Sequence, residues 1–377
     1  MKRLVPVLCL LIASATAFAQ AQPVPAPPVI GATSYLMIDA KSGHELASLK
    51  PDTPVPPASL TKLMTTYVVL HAVADGQITL EDEVTVSEKA WRMQGSRMFI
   101  EVGSRVRVRD LLLGVIVQSG NDASVALAEY VAGSEEVFAQ MMNQYAQALG
   151  MNSTHFVNAT GWPDDEHYSS ARDLAILARA LIQEFPEHYE WHAIKEFQWG
   201  DISQPNRNRL LWRDDSVDGL KTGHTKAAGY CLVASAKRDD MRIIAVVLGT
   251  SSDKARVDGT QALINYGFRF FETHLLYKAG EEITRARVWK SANESSPLGV
   301  MEDLYITVPR GTYESLESLH NMPAIIEAPV ATGQPLGEIR ISLNGEELLL
   351  EQLRALEDNP SGSFWQRTVD SVMLWLE

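Results

Sequence analysis

Hydrophobic spacing along this chain predicts first a hairpin and then a buried helix. Residues 34–50 place two alternating runs on either side of a turn at 41–43, which is typical of two paired strands. Apolar residues within 60–68 then recur at helical spacing, between Pro57, which suits a helix start, and Gly76, which suits a helix end. The helix is apolar on nearly all sides, so we expect it to lie in the core.

The pattern continues with further helices and then changes to strands. Helical spacing is found in four segments, 109–118, 122–132, 135–149 and 170–185. After Trp212 the runs DGLKTGHT, AGYCLVASAKR and MRIIAVVLGT read as strands, and residues 260–274 return to helical spacing. The predicted fold class is α+β: an antiparallel sheet with helices and a helical subdomain inserted between its strands.

Short strand-like runs separated by Gly, Pro and Asn predict a small β-rich domain over residues 277–357, with AIIEAPV at 324–330 as one of its strands. Residues 358–377 are predicted to form an amphipathic helix that begins near Ser363. At roughly 21 Å it is too short to span a bilayer core of about 30 Å. We read it as an anchor on the membrane surface, and packing on the β-rich domain is the alternative. Asp370 and Glu377 on its polar face favour that alternative.

Composition excludes some classes of protein. The chain has 377 residues, 46% of them hydrophobic, which is enough for two domains with buried cores. Its formal net charge of -14 argues against nucleic acid as a partner, because phosphate binding needs a basic surface.

The N-terminus has the features of a secretory signal peptide. The positively charged residues Lys2 and Arg3 are followed by a short apolar run at 4–12. Ala17-Phe18-Ala19 then fits a small-x-small cleavage site. We expect residues 1–19 to be removed, with a retained anchor as the alternative, and the Pro-rich residues 20–33 to form an extended or mobile lead-in. The mature chain would then keep one cysteine, Cys231, and no internal disulfide. The sequence predicts an exported, periplasmic protein.

Three short motifs carry the candidate chemistry. Ser59-x-x-Lys62 begins the buried helix, Ser119-Gly120-Asn121 lies between two helices, and Lys221-Thr222-Gly223 lies on a strand. Residues i and i+3 share a helix face, so Lys62 Nζ can reach Ser59 Oγ.

The same triplets occur a second time, as Ser251-x-x-Lys254, Ser291-Ala292-Asn293 and Lys41-Ser42-Gly43. We expect the second set to lie in polar turns and a surface segment, without a core helix. Only the first set has the order and the setting that the motif requires.

The residue types of the first set suggest their roles. Ser59 is the predicted nucleophile, and Lys62 is the predicted base if burial and the Lys221 ammonium lower its pKa. Ser119 is expected to pass a proton to the leaving amine, and Asn121 to hold a substrate amide. The backbone N–H groups of Ser59 and His224 would form the oxyanion hole.

Residues 34–357 resemble the low-molecular-mass penicillin-binding proteins, the D-alanyl-D-alanine carboxypeptidases of the type-5 kind. The resemblance rests on five segments in order: PASLTKLMT (57–65), SGNDA (119–123), YSSARD (168–173), DGLKTGHT (218–225) and GFRFFE (267–272). It implies a β-lactamase/transpeptidase-like catalytic domain over 34–276, the β-rich domain over 277–357, and a C-terminal helix on the outer face of the inner membrane. It also implies removal of the terminal D-alanine from peptidoglycan stem pentapeptides, and acylation by β-lactams.

The substrate carboxylate is expected beside the strand of the third motif. Lys221, Thr222, Gly223 and Thr225 are the predicted binding residues there. The resemblance adds Arg256, which matches a family position expected to bind the terminal carboxylate. No cofactor is expected.

Other functions remain open on the sequence alone. A DD-endopeptidase or a β-lactam hydrolase would use the same fold, although SGN in place of SDN and the β-rich domain argue against a β-lactamase. A silent peptidoglycan-binding envelope protein would not need Ser59 and Lys62 together. His188 and His192 are spaced like zinc ligands but lack the H-E-x-x-H pattern and a third ligand, so no metal is expected.

Overall fold

The computed structural model describes residues 24–376. The predicted signal peptide over residues 1–19 lies outside the described residues, as does the start of the lead-in.

The strands and helices are numbered in chain order. The strands are β1 (Ser34–Asp39), β2 (Glu45–Leu49), β3 (Glu83–Thr85), β4 (Arg105–Arg107), β5 (Glu196–Trp199), β6 (Ile202–Pro205), β7 (Val217–Thr225), β8 (Gly229–Arg238), β9 (Met241–Thr250), β10 (Phe271–Tyr277), β11 (Thr284–Arg287), β12 (Ser295–Gly299), β13 (Leu304–Pro309), β14 (Leu316–Asn321), β15 (Pro335–Leu343) and β16 (Glu346–Ala355). The α-helices are α1 (Lys62–Ala74), α2 (Glu88–Trp91), α3 (Val108–Leu113), α4 (Asn121–Ala132), α5 (Glu135–Ala148), α6 (Ala171–Glu184), α7 (Pro186–Tyr189), α8 (Leu210–Arg213), α9 (Asp253–Phe270) and α10 (Phe364–Leu376).

A five-stranded antiparallel sheet in the order β2-β1-β9-β8-β7 forms the centre of the N-terminal part. Successive side chains of a strand point to opposite faces. On β1, Leu36 and Ile38 therefore join the core beneath α1 and α6, whereas Tyr35 and Met37 join the core beneath α9. Because helices cover both faces, every residue of β1 is buried. The helical subdomain lies in the sequence between β2 and β7, so the predicted α+β fold is confirmed.

The start of the buried helix differs from the prediction in its local geometry. Ala58–Thr61 form a turn of 3₁₀-helix, and α1 follows directly from Lys62. In a 3₁₀ turn residues i and i+3 eclipse one another, which suits the contact between Ser59 and Lys62. Helix α1 is buried on nearly all sides, as its apolar sequence predicts.

The predicted helix over 260–274 is wrong at both ends. Helix α9 begins at Asp253, because the Ser252 side chain caps it by accepting a hydrogen bond from Ala255 N at 3.1 Å. It ends at Phe270, because residues from Phe271 onward pair with β13.

The C-terminal part is rich in strands. β10 pairs with β13, and a second sheet has the order β11-β12-β16-β15-β14. The predicted strand at 324–330 is wrong: this segment makes only isolated bridges, since Pro329 has no N–H to donate to a ladder. No side chain of α10 is buried. None of the helices within residues 24–376 is long and apolar enough to cross a membrane.

Residues 24–33 run without regular structure along α9. Tyr266 donates a hydrogen bond to the Pro25 carbonyl at 2.8 Å. Ile30 packs so closely on α9 that a Cβ on Gly259 would lie 3.4 Å from Ile30 Cβ. The described part of the lead-in is therefore tied to the N-terminal part of the protein.

Candidate active site

The candidate nucleophile lies where the 3₁₀ turn meets α1. Ser59 is half-buried between Ala58 and Leu60, which are both in the core. Lys62 Nζ lies 3.1 Å from Ser59 Oγ. The structure therefore brings together the first predicted pair.

Lys62 is a buried lysine, with 1% of its surface exposed. Its Nζ also donates to Asn121 Oδ1 at 2.7 Å and to the Thr160 carbonyl at 2.6 Å. The pKa of Lys62 is lowered to about 7, mainly by burial; the negative charge of Asp122 opposes this shift, and the positive charge of Arg207 contributes to it. At neutral pH a large fraction of Lys62 is an uncharged amine, which is the form that accepts a proton.

The second motif follows a change of helical type. After α3, residues Gly114–Gln118 form a π-helical turn that ends at Ser119, whose φ of 61° is left-handed. This turn places Asn121 at the start of α4, with Oδ1 on Lys62 and Nδ2 on the Gln94 carbonyl at 2.6 Å. Ser119 Oγ is buried and has no hydrogen-bond partner among residues 24–376. An unpaired buried hydroxyl is unfavourable in a stable fold, so it marks a functional candidate.

Asp122, the residue after the second motif, fixes one wall of the site. Its carboxylate accepts hydrogen bonds from the backbone N–H groups of Met98 and Phe99, both at 2.8 Å. These bonds hold the loop that contains Gln94 against α4. Asp122 is not among the site residues predicted from the sequence.

A loop near residue 160 holds Lys62 from the other side, and Asn158 shapes it. Asn158 Oδ1 accepts hydrogen bonds from the backbone N–H groups of Thr160 at 3.1 Å, Gly161 at 2.8 Å and Trp162 at 3.1 Å. A side chain that closes the backbone in this way is typical of an Asx turn. The turn directs the Thr160 carbonyl at Lys62 Nζ.

Gly161 lets this loop approach the nucleophile. Its φ is +80°, and a Cβ there would lie 1.8 Å from the Ala58 carbonyl oxygen. Only glycine fits a left-handed position at so short a distance from another backbone.

Replacing Gly161 with alanine is expected to lower the free energy of unfolding. The loss should exceed the cost of placing an alanine at a positive φ, because the new Cβ also meets Ala58. Gly150→Ala is the matched control, because Gly150 has a φ of +77° and open space around it. We expect a loss of about 1–2 kcal/mol for the control, and at least about 2 kcal/mol more for Gly161→Ala, which must also displace Ala58. Urea unfolding measures both values, and equal losses would contradict the close approach.

His167 supports the same loop. Burial lowers its pKa to about 4, so the ring is neutral. Val157 N donates to His167 Nδ1 at 3.1 Å, which leaves the proton on Nε2, and Nε2 donates to Thr61 Oγ1 at 2.8 Å. His167 thus links the loop to the residue before Lys62.

The third motif lies on β7, at the edge of the main sheet. Gly223 permits close contact with the nucleophile turn: a Cβ on it would lie 2.9 Å from the Pro57 carbonyl oxygen. Lys221 is buried, and burial together with the charge of Lys62 lowers its pKa well below the ordinary value. The first and third motifs are therefore neighbours in the fold.

Arg256 lies behind the third motif and is buried. Its Nη1 donates to the carbonyls of Gly223 at 3.1 Å and Cys231 at 3.3 Å, and Nη2 forms an ion pair with Asp253. The guanidinium thus binds the backbone of the strand that carries the motif. Its predicted contact with a substrate carboxylate stays a prediction.

Three further predicted site residues on β7 differ in their exposure to solvent: Thr222, Thr225 and His224. Thr222 is buried on β7, and Thr225 Oγ1 accepts a hydrogen bond from Ala228 N at 3.0 Å, which closes the turn to β8. His224 is exposed and packs on Tyr230, with ring centroids 4.0 Å apart.

Arg207 is a candidate that the sequence analysis missed. It lines a cavity of about 490 Å³ together with His224 and Arg256. Asn206 and Asn208, both buried, fix the loop on either side of it. Its charge lowers the pKa values of both buried lysines, and within residues 24–376 it forms no ion pair. A loop arginine 14 residues before Lys221 has no sequence pattern that identifies it.

The second set of triplets lacks a buried lysine beside its serine. Ser291, which is expected in a surface segment, is buried, so that expectation is wrong; its Oγ donates to the Val288 carbonyl at 2.6 Å. Lys254 lies in the first turn of α9 rather than in a turn after a strand, so that expectation is wrong. Its side chain is 86% exposed and pairs with Asp258. Across residues 24–376, no His, Cys, Asp and Glu side chains group in threes as a metal site.

Comparison with known proteins identifies the family. The family described as D-alanyl-D-alanine carboxypeptidase matches residues 19–252, and the family described as penicillin-binding protein 5, C-terminal domain, matches residues 271–361. The chain belongs to the D-alanyl-D-alanine carboxypeptidase family of serine peptidases and is of the penicillin-binding protein 5 type, which confirms the resemblance seen in the motifs.

Individual relatives agree over nearly the whole chain. The D-alanyl-D-alanine carboxypeptidase DacC of Escherichia coli is 43% identical over 97% of this chain and 93% of its own length. The structure of penicillin binding protein 5 from Haemophilus influenzae has a TM-score of 0.87 and 41% identity, and covers 89% of this chain and 100% of its own. Penicillin-binding protein D2 from Listeria monocytogenes, solved in an ampicillin-bound form, is 31% identical over 63% of this chain and 98% of its own, with a TM-score of 0.59.

Proposed function

We propose that this protein removes the terminal D-alanine from peptidoglycan stem pentapeptides through an acyl-enzyme on Ser59, and that β-lactams acylate the same serine. The observation that carries the proposal is the position of Lys62. Its two shorter hydrogen bonds go to Asn121 Oδ1 and the Thr160 carbonyl, and the third neighbour is Ser59 Oγ. A neutral amine has two N–H groups and one lone pair, so the lone pair is left for the Ser59 hydroxyl.

The first step follows from this arrangement. The Ser59 hydroxyl gives its proton to Lys62 Nζ as Oγ attacks the carbonyl carbon of the peptide bond between the two D-alanines. The backbone N–H groups of Ser59 and His224 stabilise the tetrahedral oxyanion.

Ser119 completes the cleavage. The proton held on Lys62 passes through the Ser119 hydroxyl to the leaving nitrogen, and the carbon–nitrogen bond breaks. Free D-alanine leaves, and the shortened peptide stays as an ester on Ser59. Water then hydrolyses this ester. The unpaired Ser119 Oγ supports the assignment, because the relay needs a hydroxyl that is not already bonded.

The carboxylate of the leaving D-alanine fits the cationic end of the site. Arg207 and Arg256 line the cavity there. Burial and Lys62 lower the pKa of the neighbouring Lys221, and the positive charges of the two arginines lower it as well. A substrate anion would offset this repulsion. The Thr222 and Thr225 hydroxyls are proposed to donate to the same carboxylate.

The test is release of D-alanine from a stem pentapeptide by the chain from residue 20 onward. We expect release that stops after treatment with benzylpenicillin, which should form one covalent adduct per chain. If the pentapeptide stays intact but crosslinked peptide dimers are cleaved, the protein is an endopeptidase instead. Rapid turnover of penicillin without D-alanine release would identify a β-lactamase.

We also propose export of the protein through residues 1–19, a catalytic domain over 34–276, and attachment to the outer face of the inner membrane through residues 358–377. Helix α10 supports the attachment. Trp375 is 84% exposed and Val372 is 56% exposed, although Asp370 accepts a hydrogen bond from Lys290 N at 2.5 Å and ties the helix to the β-rich part. Exposed apolar side chains on a terminal helix favour binding to a membrane surface.

The chain with Val372→Glu and Trp375→Glu together is expected to bind vesicles of phosphatidylethanolamine and phosphatidylglycerol at least about tenfold more weakly, because two apolar side chains are lost from the lipid interface. Leu319→Glu is the matched control, since Leu319 is 63% exposed on β14. Co-sedimentation measures binding. An equal loss in the control, or no binding by the unaltered chain, would contradict the anchor.

A further inference from the structure

Trp162 presents an apolar surface on the loop that holds the proposed base. Its side chain is 47% exposed. Two residues earlier, the Thr160 carbonyl accepts the hydrogen bond from Lys62. Asn158 fixes the distance between them, because it accepts from Trp162 N at 3.1 Å and donates to the Trp162 carbonyl at 3.0 Å. The backbone that carries the indole is therefore held in a fixed position relative to Lys62.

The indole also borders the second motif. A Cβ on Gly95 would lie 3.6 Å from Trp162 Cζ3 and 3.0 Å from Asn121 Nδ2. Trp162 and Asn121 thus flank the same glycine at the rim of the site. The indole is half exposed, so the core does not depend on it.

The charged residues that line two cavities indicate which end of the substrate lies near Trp162. Arg207 and Arg256 line one cavity, which attracts the terminal carboxylate. A separate cavity of about 410 Å³ is lined by the residues that follow Trp162, including Asp164 and Asp165, and its described lining includes no lysine or arginine. A carboxylate is repelled there. We therefore expect the carboxylate end of the substrate at Arg207 and Arg256, and the part of the peptide that precedes the D-alanines at the loop that carries Trp162.

We propose that Trp162 is a specificity-determining residue that packs against the aliphatic side chain of the residue preceding D-Ala-D-Ala. This inference rests on the proposed carboxypeptidase function. The methylene groups of an aliphatic side chain can pack against one face of the flat indole ring, which removes that side of the chain from water. We therefore expect a preference of about tenfold in kcat/KM for a long aliphatic side chain over glycine at that position, at the low end of what apolar contacts give.

The experiment compares D-alanine release from two peptides, Nα-acetyl-Nε-acetyl-lysyl-D-Ala-D-Ala and N-acetyl-glycyl-D-Ala-D-Ala. Trp162→Ala is expected to lose most of the preference, with less than about threefold change on the glycyl peptide. Trp162→Phe should keep part of the preference, because a smaller ring still covers methylene groups. Trp212→Ala is the matched control, since Trp212 is 49% exposed on α8.

The outcomes separate this inference from the proposed function. Equal losses on both peptides with Trp162→Ala would show a structural role and overturn the inference alone, as would an unchanged preference. An unaltered chain that releases D-alanine from neither peptide would overturn the proposed function, and the inference with it. Thermal unfolding of each variant by circular dichroism establishes that the compared chains are folded.

Discussion

Replacing Ser59 with alanine is expected to abolish covalent labelling by penicillin and to lower D-alanine release on the order of 10⁶-fold, the size of the loss when a serine hydrolase loses its nucleophile. Without Oγ no ester can form, and Lys62 Nζ has no hydroxyl to deprotonate. The fold should persist, because Ser59 is half-buried and its side chain contributes one hydrogen bond, to Lys62. Mass spectrometry after incubation with benzylpenicillin measures the labelling.

Ser251→Ala is the matched control for this experiment. Ser251 also stands three residues before a lysine, but it is exposed, and Lys254 pairs with Asp258 instead. We expect full labelling and full release from this variant. If Ser59→Ala is still labelled by penicillin, another residue is the nucleophile and the assignment of Ser59 is wrong.

Replacing Lys62 with arginine is expected to lower the rate of acylation by about 10³–10⁴-fold, the upper range for loss of a general base. A guanidinium stays protonated at every pH at which the protein is folded, so it cannot accept the Ser59 proton. Because a charged arginine in this buried position is also destabilising, Lys62→Met provides a second variant of similar volume without a base. Lys254→Arg, at an 86% exposed side chain, is the control.

The rate at which penicillin acylates the unaltered protein should change with pH as Lys62 loses its proton. Burial lowers the pKa of Lys62 to about 7. Below that value Lys62 is an ammonium with no lone pair, and above it the amine accepts the proton. The acylation rate by penicillin is therefore expected to rise from about pH 6 to about pH 8 and then to level off. A rate that keeps rising to pH 10 would mean that Lys62 has the pKa of an ordinary lysine.

Much of the fold follows from local patterns in the sequence. The hairpin of β1 and β2, the buried helix α1 and the strands β7, β8 and β9 follow from spacing and turn residues alone. These signals act over a few residues, since side chains alternate along a strand and recur every three to four residues along a helix. Errors occur where apolar spacing is weak, as in the first turns of α9, which begins directly after the cap residue Ser252. They also occur where a proline keeps a strand-like segment at 324–330 out of the ladder.

The choice between the two sets of triplets also comes from the sequence, through the setting of each motif. Ser59 and Lys62 stand in an apolar helix, whereas Ser251 and Lys254 stand among polar residues. The structure buries Lys62 and leaves Lys254 exposed. Hydrophobic surroundings in the sequence are enough to distinguish them, because burial is what lowers the pKa of a lysine.

Tertiary structure alone decided how the site is held. The Thr160 carbonyl that binds Lys62 is 98 residues away in the chain, and His167 is 106 residues from Thr61. The π-helical turn that places Ser119, and the position of Arg207 beside both lysines, likewise have no periodic signal. The sequence by itself therefore determined the elements and the reacting residues. The folded chain determined the loops that position them, because contacts between distant loops depend on how the elements pack.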